Sequence, residues 1–169
     1  MAQIDYITPV KTISKTLTYN QKDLYKFLMK WFAERHFDVL ETDYSEKLIE
    51  GKKIYHFKWM NEKRIEEFTK LIIKVEFNSK AQDVVIETND GKRKAQKGEV
   101  TIKFKGFVNK DVEDEHHLTN KPPERALLGA IYEKFIAKRK MARYDEQLKS
   151  DLDGIIKDVK TYLKAHNYD

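Results

Sequence analysis

The chain has 169 residues, 40% of them apolar and 36% charged, with 33 Lys and Arg against 28 Asp and Glu, a formal net charge of +5, and no cysteine. That length builds one domain with a sizeable core, and the interleaved charges describe a solvated surface on an ordered fold. The absence of cysteine excludes disulfides, thiolate nucleophiles and Cys-ligated zinc or iron–sulfur centres.

The N-terminus "MAQIDYITPV" lacks the basic start and apolar run of a signal peptide, and no stretch approaches the roughly 18 apolar residues of a membrane span. The expectation is a soluble cytoplasmic protein. The Lys-rich, Pro-poor and Gly-poor composition is compatible with a thermophile.

Val10–Thr18 is rich in β-branched residues and reads as a strand. A helix over Gln21–Arg35 follows, with Leu24, Phe27, Leu28, Trp31 and Phe32 spaced as one apolar stripe and Asn20 placed to cap it. Short strands are expected at Val39–Tyr44, Lys53–Met60, Glu67–Phe77, Asp83–Thr88, Lys92–Ala95 and Glu99–Val108. Tyr55, Phe57 and Trp59 alternate with polar residues, as do Leu71, Ile73, Val75 and Phe77, which describes an antiparallel sheet wet on one side. "NDG" at Asn89–Gly91 marks a hairpin, and "QKGE" a second turn.

A polar connector, "NKDVEDEHHLTNKPPE", leads into helix. Pro122 and Pro123 suit a helix start, with Thr119 or Asn120 helping to cap it. Apolar positions then recur from Leu127 to Leu163. A single helix from Glu124 to His166 would be about 65 Å long, whereas a compact chain of this size is about 40 Å across. Two consecutive helices are therefore expected, broken near Tyr144–Asp145 or at "SDLD" (Ser150–Asp153), where Gly154 follows a capping-box-like pattern.

The order strand, helix, antiparallel strands, long C-terminal helix resembles the helix-grip fold of the START/Bet v 1-like superfamily, over about residues 10–140. The stretches "DLYKFLMKWFAERHFDVLETDYSEK" and "KGEVTIKFKGFVNKDVED" also resemble small uncharacterised archaeal proteins. The helix-grip resemblance implies an α+β fold in which a curled antiparallel sheet of about six to seven strands packs on the long C-terminal helix. It also implies a groove between sheet and helix for lipids or other apolar small molecules. Tyr55, Phe57, Trp59, Ile73 and Phe104 would line that groove, unless the first helical segment, "ALLGAIYEKFIA", fills it. The domain would cover residues 1–140. The extension, residues 141–169, would pack on the domain or on a second copy as a homodimer.

Chemistry-bearing motifs are few. "EDEHHL" (113–118) has zinc-binding residue types, but adjacent His116 and His117 diverge on a strand or a helix, and neither HxH nor HxxxH occurs. No phosphate-binding glycine loop or nucleophile elbow is present, and paired acids such as Glu66/Glu67 and Asp151/Asp153 lie in charged runs without a desolvated setting. No catalytic residue, metal or cofactor is expected. The basic run Lys92, Arg93, Lys94, Lys97, Lys103 and Lys105, opposed by Glu99, offers an electrostatic surface for nucleic acid or anionic membrane. A non-enzymatic binding module for an apolar ligand is thus the leading expectation. A phosphate-binding surface comes next and a metal enzyme third.

Overall fold

The computed structural model describes residues 2–111 and 123–169. The elements run β1 (Ala2–Ile7), β2 (Lys11–Tyr19), α1 (Gln21–Glu34), β3 (Asp38–Ile49), β4 (Lys52–Glu66), β5 (Thr69–Thr88), β6 (Gly91–Asp111) and α2 (Pro123–Ala165). All strand pairs are antiparallel, in the order β1-β6-β5-β4-β3, with β2 also on β6. The "EDEHHL" stretch and the residues expected to cap the last helix, Thr119, Asn120 and Pro122, lie outside the described residues.

The α+β class is as expected; the strand count is lower. β1 and β2 lie end to end along one edge of β6, pairing with Phe107–Asp111 and Gln96–Phe104, so the sheet is five strands across. Thr8 joins them at the kink: its N–H donates to the Gly106 carbonyl at 2.9 Å, and its hydroxyl accepts from the Gly106 N–H at 2.8 Å. Glu67–Phe77 and Asp83–Thr88 merge into β5. The expected "QKGE" turn is absent, because the ladder continues through Lys97↔Gln82 and Gly98↔Ala81. Gly98 makes that continuity possible: a Cβ there would lie 2.0 Å from the Lys80 carbonyl oxygen, a backbone approach that only glycine permits.

Short-range signals set the turns. At Glu50–Gly51 both residues have positive φ (53° and 79°), the type I′ geometry that joins β3 to β4. "NDG" closes β5 on β6 with Gly91 at φ 111°. Asn20 caps α1 by accepting from the Asp23 N–H at 3.0 Å. The far end of α1 closes through His36 at φ 64°, whose N–H donates to the Ala33 carbonyl while the Phe37 N–H reaches back to Phe32.

One face of the sheet carries the core. Phe57, Trp59, Leu71, Ile73, Val75, Phe77, Val100, Ile102, Phe104 and Val108 are all buried there, against Leu24, Leu28, Trp31 and Phe32 of α1 and Tyr144, Leu148, Leu152, Ile155, Val159 and Leu163 of α2. The expected break in the last helix does not occur. Gly154 sits within α2 opposite Trp31, whose indole lies at ordinary contact distance, 3.5 Å, from where a Cβ would be. The acids of "SDLD" dock the helix instead of capping it: Asp151 pairs with Lys63 at 3.2 Å and Asp153 with Lys11 at 2.6 Å. The helical segment seen on the sheet is therefore Tyr144–Leu163, while Phe135, within "ALLGAIYEKFIA", is exposed. The chain end turns back onto β2, the Tyr168 N–H donating to the Thr18 carbonyl at 2.8 Å.

Candidate functional site

A half-open pocket of about 580 Å³ lies where the first turn of α1 meets the inner side of β3 and β4. Its walls include Tyr25 of α1, Glu41 and Tyr44 of β3, and Tyr55 of β4, with Gln21, Lys22, Lys94 and Gln96 at the other end.

A local irregularity in β3 assembles the acidic end. Glu41 pairs with Trp59 and Tyr44 with Phe57, but Thr42 is bulged out of the register. Strict alternation would put Glu41 and Tyr44 on opposite faces of the sheet; the extra residue brings both to the inner one. Oε2 of Glu41 accepts the Tyr25 hydroxyl at 2.5 Å and the Trp59 indole N–H at 3.1 Å. Tyr25 also stands edge-on to Phe57 and Trp59, with ring centroids 5.2 and 5.1 Å away. Burial, reinforced by the Glu41 carboxylate, pushes the Tyr25 hydroxyl up to about 12. Tyr44 and Tyr55 are raised as well, first by burial and then by the negative charge of Glu46. All three therefore stay protonated at neutral pH and present neutral rings and hydroxyls.

The other end is fixed by Asp83. Lys53 and Lys94 reach its carboxylate at 2.9 and 3.0 Å, and the Gln96 amide donates to it at 3.1 Å. Gln96 in turn accepts the Gln21 N–H at 2.8 Å, which ties the β5–β6 hairpin to the start of α1. Burial alone would raise the Asp83 carboxyl, but the hydrogen bonds from Lys53, Gln96 and Lys94 outweigh it and hold it at about 2.

Of the expected groove residues, Tyr55 lines this pocket. Phe57, Ile73 and Phe104 are fully buried in the core, and Trp59 contributes through its bond to Glu41. The basic run divides. Lys94 is held by Asp83, and Arg93 approaches Asp23 at 3.8 Å. Lys92 and Lys97 are exposed on the hairpin. Lys103 and Lys105 lie on the outer face of the sheet with Lys58 and Lys74, lining a half-open depression of about 620 Å³ whose one acid is Glu76. Lys74 and Lys105 flank the Phe107 ring there, at 5.0 and 5.5 Å from its centroid.

Among the described residues, no group of three His, Asp or Glu is arranged to hold a metal ion, and no helix is long and apolar enough to cross a membrane. Sequence periodicity missed Tyr25, Glu41, Tyr44 and Gln21. Tyr25 and Gln21 lie beside the apolar stripe of α1, and the bulge at Thr42 hides Glu41 and Tyr44 from any period-2 count.

No family model and no curated protein matches the chain. Among solved structures, an uncharacterised protein from Rhizobium leguminosarum is similar over 67% of this chain and 84% of its own, with 12% identity and a TM-score of 0.17, too slight a likeness to carry an argument.

Proposed function

We propose that the protein is a non-enzymatic binding module that takes a small, partly apolar molecule at the corner between α1 and the inner side of β3 and β4. The observation that carries this reading is the convergence of Tyr25, Tyr44 and Tyr55 on one pocket with a fixed carboxylate in its wall. Pockets of about 300–1,000 Å³ with aromatic walls and a few placed polar groups are the common form of small-molecule sites. The chain order, with a final helix across the inner face of an antiparallel sheet, resembles that of helix-grip proteins, and that resemblance supports the same reading. Here the centre of the grip is packed with side chains, so the ligand site lies at its rim. The test uses the two indole N–H signals in a nitrogen–proton correlation spectrum. A ligand in the pocket shifts Trp59, which donates to Glu41, and leaves Trp31, which donates to Asp158. A screen of small amphipathic molecules that never moves the Trp59 signal would sink the proposal.

One observation favours a second reading, binding of nucleic acid on the outer face. Lys58, Lys74, Lys103 and Lys105 surround a single acid, Glu76, on one solvent-facing surface. If these lysines track a phosphate backbone, affinity for single-stranded DNA falls with salt at a slope of about −0.7 per contact. Changing Lys58 and Lys103 to Gln then lowers that slope by about 1.4. An unchanged slope counts against this reading.

A further inference from the structure

The carboxylate of the tyrosine-lined pocket has no cationic partner among the described residues. Glu41 receives both of its hydrogen bonds on Oε2, from neutral donors, and among the described residues no lysine or arginine pairs with it. Cations are not scarce in this chain, with 33 Lys and Arg for 28 Asp and Glu. A carboxylate without a cation gains from a ligand that supplies one.

The surroundings favour a cation over an anion. The rings of Tyr25, Tyr44 and Tyr55 present faces or edges to the pocket, and a tyrosine face attracts an ammonium group. Two lysines also line the pocket, but Lys94 is occupied by Asp83 at 3.0 Å. Lys22 stands on the exposed first turn of α1, where water and salt weaken its field. Glu46, which acts on both Tyr44 and Tyr55, adds negative potential on the β3 side.

We infer that the pocket recognises a primary ammonium group carried on an apolar, ring-bearing body. The ammonium donates to Glu41, and the ring packs among the tyrosines. This inference rests on the binding-module reading above and names its ligand class.

The experiment titrates the full-length protein with three probes of one shape: 4-phenylbutylammonium, 4-phenylbutanol and 4-phenylbutyrate. The Trp59 indole N–H reports binding, and the Trp31 indole N–H serves as the internal control. The ammonium probe binds at least about tenfold more tightly than the alcohol, as expected for a charge-assisted bond, and Glu41→Gln removes that margin. Lys22→Gln, on an exposed turn where folding is not at stake, tightens the ammonium about twofold and weakens the butyrate. Equal affinity for ammonium and alcohol, or a margin that survives Glu41→Gln, overturns the ammonium inference and leaves the pocket reading standing. No Trp59 shift with any of the three overturns both.

Discussion

Gly106 and Leu148 provide a direct test of which part of α2 lies on the sheet. A Cβ on Gly106 would fall 3.0 Å from Cδ1 of Leu148 and 3.1 Å from its Cδ2 and Cγ. Gly106→Ala therefore forces a methyl into a filled space, at a cost of about 1–3 kcal/mol, offset by about 0.5–1 kcal/mol from the reduced freedom of the unfolded chain. A net loss of about 1.5 kcal/mol follows. Leu148 is fully buried, so Leu148→Ala should cost about 3 kcal/mol. The three atoms that Leu148→Ala removes are the three that the new methyl would meet. In the Leu148→Ala background, Gly106→Ala becomes harmless or refills part of the cavity. Additivity predicts a loss of about 4.5 kcal/mol for the double variant, whereas this geometry predicts about 3 kcal/mol, a coupling of about 1.5 kcal/mol. Urea unfolding monitored by tryptophan fluorescence, with the slope checked for constancy, measures all four proteins. Additivity to within about 0.5 kcal/mol would show that Leu148 does not sit over Gly106 and that the docked segment of α2 is not Tyr144–Leu163.

Three further outcomes follow from single positions. His36 is an exposed non-glycine residue at φ 64° in the closing turn of α1, so His36→Gly should stabilise the fold by about 0.5–1 kcal/mol; a loss of stability would mean that the ring makes contacts worth more than the strain. Asn61 is fully buried on β4 with neither amide atom bonded, so Asn61→Leu should raise the thermal midpoint, and a lower midpoint would reveal a partner for that amide. The Asp83 carboxyl is lowered from 3.8 to about 2, so its contribution is complete above pH 4 and disappears as the pH falls towards 2. The full shift corresponds to about 2.5 kcal/mol, which partial exposure reduces to about 1 kcal/mol. Wild type should lose that much more stability than Asp83→Asn between pH 5 and pH 2, and parallel curves for the two would remove the linkage.

Periodicity succeeded wherever one face of an element meets the core. Leu24, Leu28, Trp31 and Phe32 recur at helical spacing because α1 rests on the sheet, and Tyr55, Phe57 and Trp59 alternate because β4 is wet on one side. The Asn20 cap and the "NDG" turn were legible because their geometry depends on a few adjacent residues. The failures share a different cause. Gly98 and Gly154 look like breakers in the sequence, yet neither ends its element: Gly98 lets the Lys80 carbonyl approach, and Gly154 continues a helix packed against the Trp31 ring. That partner is set by tertiary structure and leaves no local trace. β1 was missed for a similar reason. Its pairing partner is the far third of β6, and only the full length of that strand shows that an edge is left for it.

The candidate site was hidden because two long-range devices complete what a local, legible cap begins. The bulge at Thr42 turns Glu41 inward, the Asn20 cap sets where α1 begins, and Asp83 clamps the β5–β6 hairpin against that first turn. Their joint effect is to close the middle of the sheet and leave a corner open. Phe57 and Phe77 stack with centroids 4.6 Å apart and are fully buried, so the centre is committed to stability. At the rim, Tyr44 keeps about half of its surface in water (49%) and Glu41 is exposed. Exposed positions tolerate substitution at little cost in stability, whereas core positions do not. The arrangement therefore separates the two regions: Tyr44 can change at the rim without disturbing the aromatic stack beneath it.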